Sequence, residues 1–152
     1  MMKSFEWREE YSVKHPPLDA QHRKLLELIS ELVTSGQSGN NHSEVVRATL
    51  KKLDRYADWH LRCEELVLRV RGYPGYAEHK AEHDAYRKKV SELKGQQERK
   101  DIGLRVQNYL AEWWRYHILT SDREYARFFN PQLRESGSRL VGSELARGDL
   151  TG

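Results

Sequence analysis

Pairs of metal-binding side chains spaced four residues apart constrain this chain more than any other feature of its sequence. Glu64 follows His60 by four residues, and His83 follows His79 at the same interval. On an α-helix, residues four apart lie one above the other on the same face. Each pair can therefore point at a single metal ion if its segment is helical, so the spacing favours a fold of packed helices.

The same residue types recur on two further segments of the chain. The candidate metal ligands are five imidazoles and two carboxylates: His22, His60, Glu64, His79, His83, His117 and Asp122. They interrupt apolar stripes and would be buried, where imidazoles and carboxylates without a metal are costly. A single ion rarely needs seven protein ligands, so the set indicates two adjacent ions. Its histidine-rich chemistry favours iron, copper or zinc over calcium or magnesium.

Accidental spacing is the alternative interpretation, and it would suffice for any one of these residues alone. It would have to place inward-facing ligands on four separate segments to account for all seven. The remaining histidines, His15 and His42, fall in loop-like regions and are expected at the surface. The single cysteine, Cys63, precedes Glu64 and is expected to be a buried, unreactive thiol.

Helical periodicity of the apolar residues divides the chain into four segments with short connections. We predict helices over residues 19–36, 42–71, 74–94 and 100–129. Pro16 and Pro17 are expected to stop the first helix from extending further back, and Asp19 is its expected N-cap. The predicted fold is all-α, an antiparallel up-and-down four-helix bundle (19–130) with an N-terminal arm (1–18) and a C-terminal tail (131–152). We expect the tail to be poorly ordered or to form a short appended helix.

The composition suits a small helical domain and argues against several other classes of protein. At 152 residues, 38% hydrophobic and 32% charged, the chain can form one domain with a real core, and no apolar run reaches membrane-spanning length. A net charge of +3 is too small to indicate a nucleic-acid-binding protein. The N-terminus lacks the apolar core of a signal peptide, and one cysteine permits no intramolecular disulfide. We therefore expect a soluble cytoplasmic protein with no membrane insertion.

Six short motifs, taken in order, make the chain resemble the hemerythrin family, specifically its single-domain bacterial members. The matching stretches are W-x-x-x-Y-S-V from Trp7, L-D-A-Q-H ending at His22, H-L-R-C-E-E from His60, G-Y-P from Gly72, E-H-x-x-E-H from Glu78 and H-I-x-x-x-D from His117. Together they cover residues 5–129. A single H-x-x-x-H pair would be weak, but the ordered combination is highly specific.

The resemblance implies a di-iron centre that binds dioxygen. It assigns His79, His83 and His117 to one iron, and His22 and His60 to the other, which keeps an open position. Glu64 and Asp122 would bridge the two iron ions, together with a solvent-derived hydroxo or oxo bridge. Trp113 and Trp114 would line the oxygen pocket, and Trp114 stands where the family usually has Leu. The larger ring is expected to narrow access to the open position.

The resemblance favours a protein that reversibly binds dioxygen, for storage, delivery or buffering, over an enzyme. Two alternatives remain at this point. The first is an oxygen or redox sensing module that acts through a protein partner, for which the segment from Gln132 onward could serve. The second is a di-iron oxidase or peroxidase, which ranks lower because all seven ligands are already committed. The oligomeric state does not follow from the sequence.

Overall fold

Four helical rods make up the part of the chain that the computed structural model describes, residues 5–39 and 42–133. Their α-helices are α1 (Pro16–Ser38), α2 (His42–Tyr56), α3 (Arg62–Val70), α4 (Tyr76–Gly95), α5 (Ile102–Trp113) and α6 (Arg123–Phe129). A first π-helical segment, Ala57–Leu61, continues α2 into α3, and a second, Trp114–Asp122, continues α5 into α6. Short 3-10 turns stand at Glu9–Tyr11 and Pro131–Leu133.

Successive rods run in opposite directions, as the positions of the candidate ligands require. These residues lie near the beginning of the first and third rods (His22, His79) and near the end of the second and fourth (Glu64, Asp122). The structure gathers them into one buried layer. Because alternate ends of the rods meet in that layer, neighbouring rods are antiparallel. The fold is therefore the predicted all-α, up-and-down four-helix bundle.

The ligand layer separates two apolar clusters of unequal size. The larger cluster draws on all four rods, and along α1 it takes Leu25 and Ile29. The smaller cluster closes the other end of the bundle and consists of Val13, Leu18, Leu68, Tyr125 and Ala126. His22 lies between Leu18 and Leu25 along α1, so the same helix contributes to both clusters and to the layer. Apolar contacts on both sides thus shield the polar layer from water.

α1 begins at Pro16, three residues before its predicted start, so the expectation that Pro16 and Pro17 would block this helix is wrong. Proline suits the first turn of a helix, because the N–H it lacks has no partner there and its fixed φ is already helical. His15 is the N-cap in place of Asp19, and its Nδ1 accepts the backbone N–H of Leu18 at 3.4 Å. His15 therefore has a local structural role at this helix start.

The N-terminal arm is fastened to α1 through Asp19. One carboxylate oxygen accepts the Ser12 hydroxyl at 2.6 Å, and the other accepts the backbone N–H of Val13 at 2.9 Å. Further out, Trp7 and Tyr11 pack against the larger apolar cluster. The arm residues that the structure describes are therefore part of the folded domain.

The other helix boundaries lie within two residues of the predicted ones. α1 ends two residues late, at Ser38. Its C-cap is Gly39, whose φ of 68° is left-handed and whose N–H donates to the carbonyl of Ser35 at 3.0 Å, a common glycine C-cap. Beyond Leu133 the predicted tail lies outside the described residues. Within the described ranges, no helix combines the length and apolarity needed to cross a membrane.

Candidate metal centre

All seven candidate ligands meet in the buried layer, where none is more than 4% exposed. Their ligand atoms form two groups, in each of which every atom lies within 4.8 Å of the others. One group contains His79, His83 and His117, and the other contains His22 and His60. Glu64 and Asp122 belong to both groups, so the two carboxylates connect them.

Glu64 divides its two carboxylate oxygens between the groups. Oε1 lies 2.8 Å from Nε2 of His79 and 3.1 Å from Nε2 of His83. Oε2 lies on the other side, 3.6 Å from Nε2 of His60. A carboxylate in this position can bind one cation through each oxygen.

Asp122 makes the same division from the opposite rod. Its Oδ1 lies 3.0 Å from Nε2 of His117 and 3.2 Å from Nε2 of His79. Its Oδ2 lies 3.1 Å from Nε2 of His22. Each of the two carboxylates thus lies between the same two groups of histidines, where it can bridge two metal ions.

Hydrogen bonds on the outer side of the layer orient two of the imidazoles. Nδ1 of His83 bonds Oε1 of Glu65 at 2.9 Å, and Nδ1 of His117 bonds Oε2 of Glu82. Because a carboxylate only accepts, each Nδ1 carries the proton and donates it. Nε2 of each ring then faces the layer, and once it has lost any proton of its own it presents the lone pair with which histidine binds metals.

His60 is oriented in the same way by a neutral partner. Its Nδ1 bonds the side-chain oxygen of Gln21, which again leaves Nε2 facing the layer. Tyr56 stacks on the His60 ring with centroids 4.6 Å apart and planes 20° apart, so the ring is held from its face as well. Burial lowers the pKa of His60 to about 3, although Glu64 opposes this shift, so the ring is neutral at pH 7.

The donor set fits a pair of metal cations. Nε2 of His83 and Nε2 of His117 lie 3.1 Å apart, and each also lies near a carboxylate oxygen, so the inner nitrogens crowd around few shared protons. Asp122 is fully buried, and its oxygens lie 3.0 to 3.2 Å from imidazole nitrogens without well-directed hydrogen bonds. A cation in each group would convert these unfavourable contacts into coordination bonds, and the imidazole-rich donors suit iron, copper or zinc.

Two imidazoles carry protons in the metal-free chain. Burial lowers the pKa of His79, but the carboxylates of Asp122 and Glu64 outweigh burial and raise it to about 10. Burial likewise acts against the charged form of His117, and Asp122 with Glu82 raises its pKa to about 9. In return, the histidine partners hold the pKa of both Glu64 and Asp122 below the usual range, in spite of burial.

The second π segment accounts for the five-residue interval between His117 and Asp122. Residues five apart on a regular α-helix point about 140° away from each other. A π-helix bonds each residue to the one five positions along, which brings such residues onto the same face. Trp114–Asp122 is π-helical and directs both side chains into the layer. The sequence prediction of uninterrupted α-helices missed both π segments, although the H-x-x-x-x-D interval was a signal for this one.

The two tryptophans predicted to share the oxygen pocket lie against different histidine groups. Trp113 stacks on His117 with centroids 3.9 Å apart and planes 13° apart. Trp114 stands edge-on to His22, 6.4 Å away at 89°. Adjacent residues on a helix point in different directions, which explains the separation. Only Trp114 is on the side of the group with two histidines.

Sequence reasoning missed four residues that hold the ligands in place. Three are the outer partners Gln21, Glu65 and Glu82, each of which directly precedes or follows a ligand in the sequence. The fourth is Tyr125, whose hydroxyl donates to Oε2 of Glu64 at 2.8 Å. Adjacency to a ligand could have suggested the first three, whereas nothing in the sequence distinguished Tyr125.

The model of the hemerythrin HHE cation binding domain matches residues 16–129, about three quarters of the chain. The chain belongs to the hemerythrin family. It is 30% identical to a bacteriohemerythrin of Clostridium acetobutylicum over 127 residues, 80% of this chain and 98% of that one. It is 26% identical to a bacteriohemerythrin of Pseudomonas paraeruginosa over 151 residues, 99% of this chain and 95% of the relative. A bacteriohemerythrin of Methylococcus capsulatus is 28% identical over 109 residues, which are 70% of this chain and 82% of the relative.

Membership of the hemerythrin family and the buried cluster agree in the class of cofactor. The family is one of non-haem di-iron domains that bind dioxygen, and its matched region contains all seven candidate ligands. The layer described above supplies imidazole and carboxylate donors for two ions from four different rods. The chain is therefore a hemerythrin-type metal-binding domain.

Proposed function

We propose that this chain binds dioxygen reversibly at a di-iron centre and serves to store, deliver or buffer oxygen. His79, His83 and His117 would hold one iron, and His22 and His60 the other. Glu64 and Asp122 would bridge them. Two iron ions bound there, joined by a hydroxo or oxo bridge, supply the electrons that reversible dioxygen binding requires. The cytoplasm is the proposed compartment.

The unequal number of donors in the two groups is the observation that carries this proposal. One group offers three imidazoles and two carboxylate oxygens, whereas the other offers two imidazoles and two carboxylate oxygens. Iron that shares the same bridges on both sides would have one fewer protein ligand beside His22 and His60. A small exogenous ligand such as dioxygen can occupy that position.

Two buried phenols near the layer favour binding over turnover. Tyr56 stacks on His60, and the hydroxyl of Tyr125 donates to Glu64. Burial raises the pKa of both Tyr56 and Tyr125 well above the ordinary value of tyrosine, and the neighbouring carboxylates raise it further. These phenols therefore keep their protons at pH 7. Release of reduced dioxygen as peroxide would require a proton donor, and phenols with a raised pKa are poor donors.

Trp114 is the residue that we place at the open position. Its buried indole stands edge-on to His22, and Tyr11 of the arm covers it from the other side at 5.5 Å. A ring of this size excludes water from the two-histidine group and narrows the access route to the open position. Trp113, stacked on His117, instead fixes a ligand of the three-histidine group.

Iron analysis and visible spectra test the proposed function. Protein expressed with ample iron should contain two irons per chain, and after anaerobic reduction it should gain a visible absorption band in air and lose it under argon. His22→Ala should abolish that cycle, whereas His15→Ala, at a histidine outside the layer, should keep it. One zinc per chain with no iron, or a band that never reverses, would contradict the proposal.

A further inference from the structure

A column of three aromatic rings connects the metal layer with the N-terminal arm. Trp114 stands edge-on to His22 at 6.4 Å between ring centroids. Tyr11 stands edge-on to Trp114 at 5.5 Å, and Trp7 stands edge-on to Tyr11 at 6.0 Å. Trp114 is buried, whereas Tyr11 and Trp7 are only partly buried. The column thus runs from a ligand in the layer to the surface of the domain.

Indole and phenol rings are the aromatic side chains that most readily give up one electron. When such rings stand close together, an electron vacancy on the inner ring can be filled from the next one out. We propose that Trp114 and Tyr11 carry oxidising equivalents away from the metal centre. The electron vacancy is finally located on Tyr11, which becomes a tyrosyl radical. This inference rests on the proposed di-iron function, because iron reacting with peroxide is the source of those equivalents.

The charges around Tyr11 and Trp7 favour Tyr11 as the final location of the electron vacancy. The guanidinium of Arg23 lies 4.6 Å from the centroid of Trp7 and disfavours a second positive charge on that indole. Glu9 accepts the indole N–H of Trp7 at 3.2 Å, but this carboxylate is itself paired with Arg23 at 3.3 Å, which weakens it as a proton acceptor. Tyr11 loses its phenolic proton on oxidation and becomes a neutral radical, which the nearby cation Arg8, at 6.0 Å, does not oppose. Since Tyr11 is partly exposed, water can take that proton.

A second branch of aromatic rings starts at the three-histidine group and reaches a partly exposed phenol only at Tyr109, which lies 5.9 Å from Tyr86 and one ring further from the ligands than Tyr11. Tyr86 lies 4.7 Å from Trp113, which is itself stacked on His117. The Tyr86 hydroxyl is fully buried and donates to the backbone carbonyl of Leu53 at 3.4 Å. A carbonyl cannot accept a proton outright, and burial raises the pKa of Tyr86 well above its ordinary value.

Two further phenols stand beside ligands. Tyr56 stacks on His60, but its buried hydroxyl has no hydrogen-bond partner to take the proton. Tyr125 lies beside His79. Its ring centroid lies 5.5 Å from that of His79, and its hydroxyl donates to Glu64. The proposed function commits Glu64 to both metal ions, so this carboxylate cannot take up the proton without giving up a bridge. Of the two paths that reach a partly exposed phenol without involving a ligand carboxylate, the one through Trp114 to Tyr11 is shorter, because it needs one intermediate ring and the path through Trp113 and Tyr86 to Tyr109 needs two.

The chemistry balances when an external reductant is included. Hydrogen peroxide takes up two electrons and two protons and becomes two water molecules. Each electron leaves Trp114, is replaced from Tyr11, and Tyr11 at the same time releases its proton to water. A one-electron reductant such as ascorbate then restores Tyr11 by supplying one electron and one proton. Two ascorbate molecules, each oxidised to its radical, therefore account for one peroxide.

Freeze-quench electron paramagnetic resonance on the iron-loaded protein tests this assignment. Mixing with hydrogen peroxide should give a tyrosyl radical signal, and spin trapping followed by peptide mass spectrometry should locate it at Tyr11. Tyr11→Phe, which keeps the ring and its packing, should remove the signal. Trp7→Phe in the same column and Tyr116→Phe at an exposed tyrosine should keep it. Trp114→Phe should lower the Tyr11 signal per peroxide consumed.

Three results would overturn the inference. The first is an unchanged radical signal in Tyr11→Phe with a melting temperature like that of the parent protein. The second is trapping at Tyr56, Tyr86, Tyr109 or Tyr125 instead. The third is the absence of any radical in protein that carries two irons and binds dioxygen, which would leave the proposed function standing. Protein that takes up no iron has no source of oxidising equivalents, and both proposals would then fail together.

Discussion

The two nitrogens of an imidazole have separate tasks in this layer. In His60, His83 and His117, Nδ1 donates to an outer partner while Nε2 faces the centre. The outer partner sets both the tautomer and the orientation of the ring, so it influences metal affinity without touching the metal. His22 differs, because its Nδ1 is buried without a hydrogen-bond partner and its ring is positioned by packing against Trp114.

Glu82→Gln should weaken iron binding. The amide oxygen can still accept a hydrogen bond from Nδ1 of His117. The substitution removes the negative charge that favours the proton on Nδ1 and increases the basicity of Nε2. Loss of such an outer partner typically lowers metal affinity by about 10- to 100-fold. Competition with a chelator under anaerobic conditions measures the change. Glu78→Gln, an exposed carboxylate on the same helix, is the matched control, and equal losses in both variants would exclude a specific role for Glu82.

Trp114→Leu should increase the rate of dioxygen association and change the rate of autoxidation, with iron content staying at two per chain. The physical reason is the ring's position beside His22, on the side that lacks one ligand. Stopped-flow mixing with dioxygen measures the rate. If the ring only packs, the variant would keep the parent rates and lose about 1–4 kcal/mol of stability through the cavity left behind.

At the scale of elements, the two π segments are what set this bundle apart from four plain α-helices. His60 lies in the first, and His117 and Asp122 lie in the second. Single-turn π irregularities within helices are frequent at functional sites, because they redirect side chains at the cost of regular hydrogen bonding. Here the second segment is what allows a histidine and a carboxylate five positions apart to serve the same ion.

Moving the carboxylate by one position tests the π geometry. In Ser121→Asp/Asp122→Ser the carboxylate stands four residues after His117, the best interval on a regular α-helix. On the π segment this side chain should point away from the layer, so the double variant should bind fewer than two irons per chain. Ser121→Ala is the control for the lost hydrogen bond between Ser121 and Glu82, and this variant should still bind two irons per chain. Full iron content in the double variant would mean that the segment is α-helical in solution.

Spacing along the sequence was enough to predict the four rods and the seven residues of the layer, because both depend on local periodicity. It was not enough for contacts between rods that are distant in sequence. Gln21 reaches His60 across 39 positions, and Glu82 reaches His117 across 35. The start of α1 was mispredicted for a different reason, since Pro16 was interpreted as a helix breaker at the one place where proline suits a helix.

At the scale of the whole molecule, the layer and the two apolar clusters depend on one another. The clusters hold the rods at the distance at which donors from all of them converge. The layer in turn buries two carboxylates among five imidazoles, and Asp122 in particular lacks well-directed hydrogen bonds without a cation. Metal binding and folding stability should therefore be linked in this domain.

Iron uptake should release protons. Burial opposes the charged form of His79 and His117, but the surrounding carboxylates raise the pKa of these residues to about 10 and about 9 in the metal-free chain. Both rings are thus protonated at pH 7, and a metal must displace those protons, so apparent affinity should rise as the pH increases towards 9. His60, with a pKa of about 3, should contribute none.

Anaerobic calorimetry with ferrous iron measures this release. At pH 7, buffers with different heats of ionisation should report about three protons released per chain, one from each of the two rings and one from the water that forms the hydroxo bridge. His60→Ala should lower the affinity but leave the contribution of the two rings unchanged. Release of about one proton would show that these imidazoles are already neutral in the metal-free protein.

The unequal sizes of the two clusters give the bundle one weak end. Among the described residues, five buried side chains with four partly buried ones packed against them close the end beyond the layer, while the larger cluster lies on its other side. In the metal-free protein, local unfolding should start at this end, and amide hydrogen exchange should be fast in α6 and the last turns of α3 but slow in α2 and α5. Exchange that is uniform along all four rods would contradict this. Such fraying would make the smaller end a natural entrance, through which an incoming ion reaches its ligands before the bundle closes over it.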